Sequence, residues 1–287
     1  MQLRPLLVSV ILFFSTLPCL AQIDTTMGEH NKKPLWEAGV ISAAFNTPEY
    51  PGARDNHNNA FAAPFFIYRG EIVRVGENSV VRAVAVEKDW LEIDLSLDAA
   101  FSADSEDDSI RAGMPDLDFV FEVGPQIKFK LYESAKQHTG MQQVQFRVQT
   151  RAVFSTDFSS ITHRGYVFNP ELSYQYVGAF QEKDRFRFNI SPVWATEKLH
   201  DYFYQVDSQY ATEQRPEYDA SGGYLGLEFS AGYMFNASPS VRVFVSAAYS
   251  LLNHAANENS PLLVENNTYA FGAGVIWRIR KSEQYQN

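Results

Sequence analysis

The sequence predicts an all-β fold: a transmembrane antiparallel up-and-down β-barrel of about 12 strands, with ten as the alternative, following an N-terminal signal peptide. Three observations carry this. The stretch Tyr269–Ile279 alternates strictly, with Tyr269, Phe271, Ala273, Val275, Trp277 and Ile279 on one face and Ala270, Gly272, Gly274, Ile276 and Arg278 on the other. The same alternation recurs in long segments along the chain, with aromatic residues on the apolar side. The chain also opens with Arg4, an apolar run from Leu6 to Leu17, and small residues up to Ala21.

The opening run is too short for a spanning helix, which needs about 20 apolar residues. It reads as a signal peptide over residues 1–21, cleaved after Ala21. A lipoprotein signal at Cys19 is the alternative, but Pro18 stands where a small residue should precede that cysteine. Cys19 is the only cysteine, so the mature chain is expected to hold no disulfide, no thiolate metal site and no cysteine nucleophile. Losing Arg4 takes the net charge from −10 to −11. An acidic chain without a basic run argues against nucleic acid as a partner. Mean hydropathy is −0.25 although 14% of residues are aromatic, a combination that alternation in a barrel wall produces.

Residues 22–35 form a polar periplasmic lead-in, 36–279 the barrel, and 280–287 a C-terminal tail. The clearest strands are Leu91–Phe101, Asp118–Leu131, Gln142–Phe154, Arg164–Tyr176, Arg185–Thr196, Tyr224–Phe235 and Ser240–Ser250. In Gln142–Phe154, Val144, Phe146, Val148, Ala152 and Phe154 oppose Gln145, Arg147, Gln149 and Arg151. A cation facing lipid at mid-membrane costs about 2–4 kcal/mol, which assigns Arg147, Arg151, Arg185 and Arg187 to the interior. Glu92, Asp94, Asp98, Glu122, Glu171 and Glu228 fall on the same side, either as pairs filling a narrow lumen or as the lining of a small polar channel.

Ala60–Tyr68, Glu71–Val75 and Val80–Glu87 read as three further strands, with turns at Arg69-Gly70 and Gly76–Ser79. With Trp36–Phe45 and the closing strand the count is twelve. The connections then divide into a long set at one end (Asn46–Asn59, Ser102–Leu117, Ser155–His163, Glu197–Gly223, Leu251–Asn267, together with the short Gly76–Ser79) and a shorter set at the other. The closing strand should pair with Trp36–Phe45 and leave no open edge.

Few residues invite chemistry. The six histidines, at 30, 57, 138, 163, 200 and 254, fall in loops or the lead-in without metal-ligand spacing, and read as ordinary exposed side chains. A rim hydrolase would draw on His163 with Ser159 or Ser160, or on His254 with Ser250. The acidic run Asp104–Asp108 lacks the ordered spacing of a calcium loop. No cofactor motif and no metal site is read, and the chain is expected to be no enzyme.

Ordered loop motifs add a further layer. Asn46-Thr47-Pro48-Glu49-Tyr50-Pro51-Gly52 is followed by Ala63-Pro64-Phe65-Phe66-Ile67-Tyr68-Arg69-Gly70. Then come Gly113-Met114-Pro115-Asp116-Leu117-Asp118, Glu122-Val123-Gly124-Pro125, Asp201-Tyr202-Phe203-Tyr204-Gln205-Val206, Tyr218-Asp219-Ala220, Leu251-Leu252 and Ser260-Pro261-Leu262. In this order they resemble the MipA/OmpV family of outer-membrane proteins, across essentially the whole mature chain. Gly52-Ala53-Arg54 departs from the family's usual Gly-Ser-Asp. The resemblance implies a Gram-negative outer-membrane barrel held in lipid. It also implies a scaffold joining a lytic murein transglycosylase to a penicillin-binding protein. A narrow porin-like channel, or a surface antigen or adhesin, is the alternative. It supplies no catalytic residue. The loop residues that would carry an interaction are Tyr50, Pro51, Gly52, Tyr202, Phe203, Tyr204, Ser260 and Pro261, and their Pro, Gly and aromatic content also suits tight loop entries and interfacial anchoring.

Overall fold

The computed structural model describes residues 34–69, 74–75, 86–88, 90–100, 110–134, 140–181 and 183–284. Alternation becomes one antiparallel sheet whose neighbours in space are neighbours in sequence. Its strands are β1 (Trp36–Pro48), β2 (Asn56–Arg69), β3 (Arg74–Val75), β4 (Val86–Lys88), β5 (Leu91–Ala100), β6 (Phe119–Glu133), β7 (Met141–Thr156), β8 (Ile161–Val177), β9 (Arg185–Ala195), β10 (Gly223–Ser238), β11 (Val241–Leu251) and β12 (Asn267–Lys281). The order runs β3-β2-β1-β12-β11-β10-β9-β8-β7-β6-β5-β4, so β1 joins β12 as expected, while the short β3 and β4 stand at the two ends of the order.

The expected count of twelve strands is corrected to ten. β3 and β4 are pieces of two and three residues, pairing only at those positions with β2 and β5. The β-branched content of Ile72–Val75 and Val80–Val86 reads as strand, but no ladder of spanning length forms there among the described residues. The turn expected at Gly76–Ser79 lies outside them. β2, by contrast, is longer than expected, beginning at Asn56 within what reads as a loop. Side-chain amides carry the ladder past the apolar band: Asn46 Nδ2 donates to Asn58 Oδ1 at 2.9 Å, and Asn56 Nδ2 to Asn46 Oδ1 at 2.7 Å.

One face of the sheet is buried and the other is not. In β7 the inward set Gln143, Arg147, Gln149, Arg151, Val153 and Ser155 is buried. On β12 the outward Tyr269, Phe271, Val275, Trp277 and Ile279 are exposed, Trp277 to 53%. Large exposed apolar faces of this kind mark contact with a membrane or a partner. The interior is not polar throughout, however. Ile41, Ala43, Phe45, Ala63 and Phe244 form an apolar cluster beside β1, β2 and β11. Gly274 makes room for it, because a Cβ there would lie 2.3 Å from the Phe244 ring and 2.6 Å from the Ser42 carbonyl.

Both ends of the described chain meet at one end of the sheet, where Leu35 N–H donates to the Gln284 carbonyl at 2.7 Å and Ser282 N–H to the Trp36 carbonyl at 2.8 Å. The turns 178–184 and 239–240 share that end. The longer connections 49–55, 110–118, 196–222 and 252–266 gather at the other, and there they fold together.

Candidate functional site

The long connections build a roof over the sheet's interior. Its frame is a short helix, α1 (Glu197–Tyr204), inside a stretch expected to be loop. Leu199, His200, Phe203 and Tyr204 are its buried residues, the i and i+4 spacing of one helical face. That spacing is a signal present in the sequence, though eight residues are too few to stand out against the strands. Thr196 precedes the helix, but its hydroxyl is engaged elsewhere, accepting the Tyr166 N–H at 2.9 Å.

The motif residues converge on this helix. Tyr50 OH donates to the Leu262 carbonyl at 2.8 Å, and Tyr204 OH to the Pro51 carbonyl at 2.7 Å. Ser260 Oγ donates to the Tyr204 carbonyl at 2.8 Å. Gly52, at φ +86°, holds a turn that places its carbonyl against the N–H groups of Val264 at 2.9 Å and Glu265 at 3.0 Å. The Tyr50 ring stacks on Phe203 with centroids 6.3 Å apart, and meets Tyr204 edge-on at 6.3 Å. Arg111 lies 5.7 Å from the Tyr50 ring centroid and donates to the carbonyls of Phe203 and Pro115, each at 3.2 Å. Arg164 stands 4.1 Å from the Tyr202 ring centroid. Tyr50, Gly52, Phe203, Tyr204 and Ser260 are buried, while Pro51, Tyr202 and Pro261 are half-buried. These residues therefore meet one another: each loop's aromatic or hydroxyl group completes a neighbouring loop.

Burial sets the protonation of the roof. It raises the Tyr204 phenol well above the usual range, with a smaller push from Tyr50. It raises Tyr50 as well, against the opposing pull of Arg111. It lowers His200, against a weaker pull from the Gly223 carbonyl, so the imidazole is neutral at neutral pH. Asn257 Nδ2 lies 2.5 Å from His200 Nδ1 and donates to the Ser221 carbonyl at 2.8 Å, while Asn257 Oδ1 accepts the Ser221 N–H at 2.9 Å. His200 is thus no exposed loop histidine: it bolts α1 to the 252–266 connection.

Beneath the roof the interior charges are paired. Arg147 and Glu171 form an ion pair, both side chains 3% exposed. Arg147 also donates to Asn189 Oδ1 at 3.3 Å. Arg151 Nε donates to Glu122 at 2.7 Å and its Nη1 to Gln149 at 2.8 Å. Arg187 donates to Gln175 at 2.6 Å. Lys128 bridges Glu92 at 3.0 Å, and near the chain ends Arg278 reaches Glu37 at 3.2 Å. Arg185 is half-buried, and the side chains of Asp94 and Asp98 lie outside the described set. Between this belt and the roof lies a cavity of about 250 Å³, lined by Glu122, Arg151, Glu171 and Glu228 below and by Tyr50 and Phe203 above.

The serine and histidine pairs considered for hydrolysis are engaged differently. Ser159 and Ser160 hydroxyls donate to Asp157, at 2.9 and 3.1 Å. His163 packs on the rings of Phe154 and Tyr166, at centroid distances of 5.4 and 5.0 Å. The His254 N–H donates to Glu258 at 2.8 Å. The acidic run Asp104–Asp108, with His30, His138 and Cys19, lies outside the described residues.

Comparison with known proteins bears on this architecture. A search of curated proteins gives no match. Among solved structures, an outer membrane channel from Pseudomonas putida F1 is 7% identical, covering 88% of this chain and 100% of that one, with a TM-score of 0.43. The NanC porin is 8% identical over 85% of this chain and 100% of its own, at a TM-score of 0.36. The CymD monoaromatic hydrocarbon channel is 9% identical over 88% and 90%, at 0.34. Similarity at that level is too weak to transfer a function. The family comparison is decisive: the model described as MltA-interacting protein MipA matches residues 40–279, and the chain belongs to the MipA family.

Proposed function

We propose that this chain is a non-enzymatic barrel of the Gram-negative outer membrane, with a sealed interior, that serves as a membrane-held scaffold for peptidoglycan remodelling. The observation that carries the reading is the belt across the interior. Arg147 is 2% exposed and Gln149 and Asn189 are 1% exposed, in a barrel where an open pore would wet them. Charges so enclosed are tolerable because Arg147 and Arg151 have carboxylate partners and Arg187 a side-chain amide, and a pore cut through them would leave partners stranded. The roof adds a second closure. A barrel that passes no solute keeps its value as an anchored surface, and the family is described as MltA-interacting. A lytic transglycosylase is therefore the first partner, with a penicillin-binding protein held through it.

The test is recovery from envelope extracts on the immobilised, detergent-folded chain. A scaffold should bring a lytic transglycosylase into the eluate, with the penicillin-binding protein dependent on it. An eluate with neither contradicts the proposal.

A further inference from the structure

The cavity between belt and roof is covered by two pieces of chain that meet at one buried contact. Leu199 and Phe203 line the cavity from α1, and Leu252 lines it from the 252–266 connection. The two pieces join at Asn257 and His200, which are 0% and 1% exposed. Ser260 adds its hydrogen bond to the Tyr204 carbonyl.

The contact at His200 tolerates one protonation state. Ser221 fixes the Asn257 amide through its backbone: its N–H donates to Oδ1 at 2.9 Å, and its carbonyl accepts from Nδ2 at 2.8 Å. Tyr218 OH donates to the same Oδ1 at 3.3 Å. Turning the amide over would set like groups against the Ser221 backbone, so its NH2 stays toward His200 Nδ1, 2.5 Å away. Nδ1 must therefore accept, and the neutral ring carries its hydrogen on Nε2. An imidazolium carries hydrogen on both nitrogens, so no flip of the ring restores an acceptor. Only separation of the two pieces relieves the contact.

The groups around it do not change that sign. From β10 the Gly223 carbonyl favours the charged imidazole, the weaker influence beside burial. The phenols of Tyr204, on α1, and Tyr218, on the segment after it, are raised by burial and stay neutral. Glu258, next to Asn257, accepts the His254 N–H at 2.8 Å. Asp201, next to His200 on the helix, is raised by burial and by Glu197, Asp219 and Asp207. Its protonation eases repulsion as pH falls, and so opposes opening.

We propose that the roof is an acid-released lid: protonation of His200 parts α1 from the 252–266 connection and opens the cavity to water-soluble molecules. The paired belt below lies outside this contact, so the open lid admits solutes to the cavity without a path through the barrel. The device is independent of the scaffold role.

Cysteine accessibility in the detergent-folded full chain tests this. Ala248→Cys probes the cavity lining and Thr162→Cys an exposed site on β8, each with Cys19→Ser removing the only native cysteine. Labelling by a charged methanethiosulfonate is read as the rate at position 248 over the rate at position 162, which offsets the pH dependence of the thiol itself. The ratio is expected to rise about tenfold or more as pH falls from about 7.5 to about 5. His200→Gln should leave it flat over that range. Asn257→Asp sets an acceptor opposite Nδ1, so there too the rise should vanish. Both variants are first checked for native migration in unheated gels; if they misfold, the parent ratio alone decides. A parent ratio equal at the two pH values overturns the proposal, and so does a rise of the parent's size in either folded variant.

Discussion

Tyr204 donates its hydroxyl hydrogen to the Pro51 carbonyl at 2.7 Å, joining positions 153 residues apart. With Tyr50 OH on the Leu262 carbonyl, 212 residues away, it ties the first connection of the sheet to the helix and to the last loop. Tyr204→Phe keeps the ring and removes the donor, leaving the Pro51 carbonyl unpaired beside a fully buried side chain. The expected loss is about 1–3 kcal/mol, read from denaturant unfolding in detergent. Cleavage of residues 197–222 by added protease should accelerate with it, since local opening precedes cutting.

The buried pair Arg147–Glu171 predicts an asymmetry. Glu171→Gln alone strands an enclosed guanidinium and should cost about 3–5 kcal/mol. Replacing both, Arg147→Met with Glu171→Leu, should cost far less, because neither charge then needs a partner. A double-mutant cycle on unfolding free energies measures the coupling; additive single effects would show that the two side chains act separately.

His200 gives the roof a pH dependence with a definite sign. Burial holds its folded-state value below the ordinary 6.5, so the unfolded chain binds the proton more readily. The contribution of the neutral imidazole is fully present above about 6.5, and it is lost progressively as pH falls from there toward the lowered value. Protonation puts a hydrogen on Nδ1, against the Asn257 amide that donates to it now. Protease sensitivity of the 252–266 connection should therefore rise as pH falls from about 7.5 to about 5, across the titration range of the imidazole. His200→Gln should flatten the profile. A parent chain equally resistant at both pH values would refute the assignment.

Gly274 holds its place by contact as well as by alternation. With the Phe244 ring 2.3 Å, the Ser42 carbonyl 2.6 Å and the Ala43 Cβ 2.8 Å from where a Cβ would stand, Gly274→Val forces three neighbours apart, one of them backbone. Overpacking of this kind costs about 1–3 kcal/mol or more. Phe244→Ala should restore only part of it, since the carbonyl clash remains. Yield of the folded, heat-modifiable form is the readout.

What was legible in the sequence follows from the range of the interactions. Alternation is local, so the exposed apolar face of β12 and the inward Arg147 and Arg151 of β7 could be read directly, and β1 does pair with β12. Strand number failed between Glu71 and Glu87, where among the described residues only the two-residue β3 and the three-residue β4 are paired. The α1 helix left its Leu199–Phe203 and His200–Tyr204 spacing in view, but eight residues make a weak periodic signal. The roof was illegible for a different reason. Tyr50, Arg111, Tyr204 and Ser260 are ordinary loop residues until the fold brings them together.

Everything proposed for the barrel depends on an interior sealed by paired side chains. Single-channel recording in planar bilayers measures that seal directly. A flat trace is predicted at physiological salt, with steps arising only when Glu171→Gln is combined with loss of the roof, so that both closures are broken. Steady, voltage-independent steps from the parent chain would contradict it.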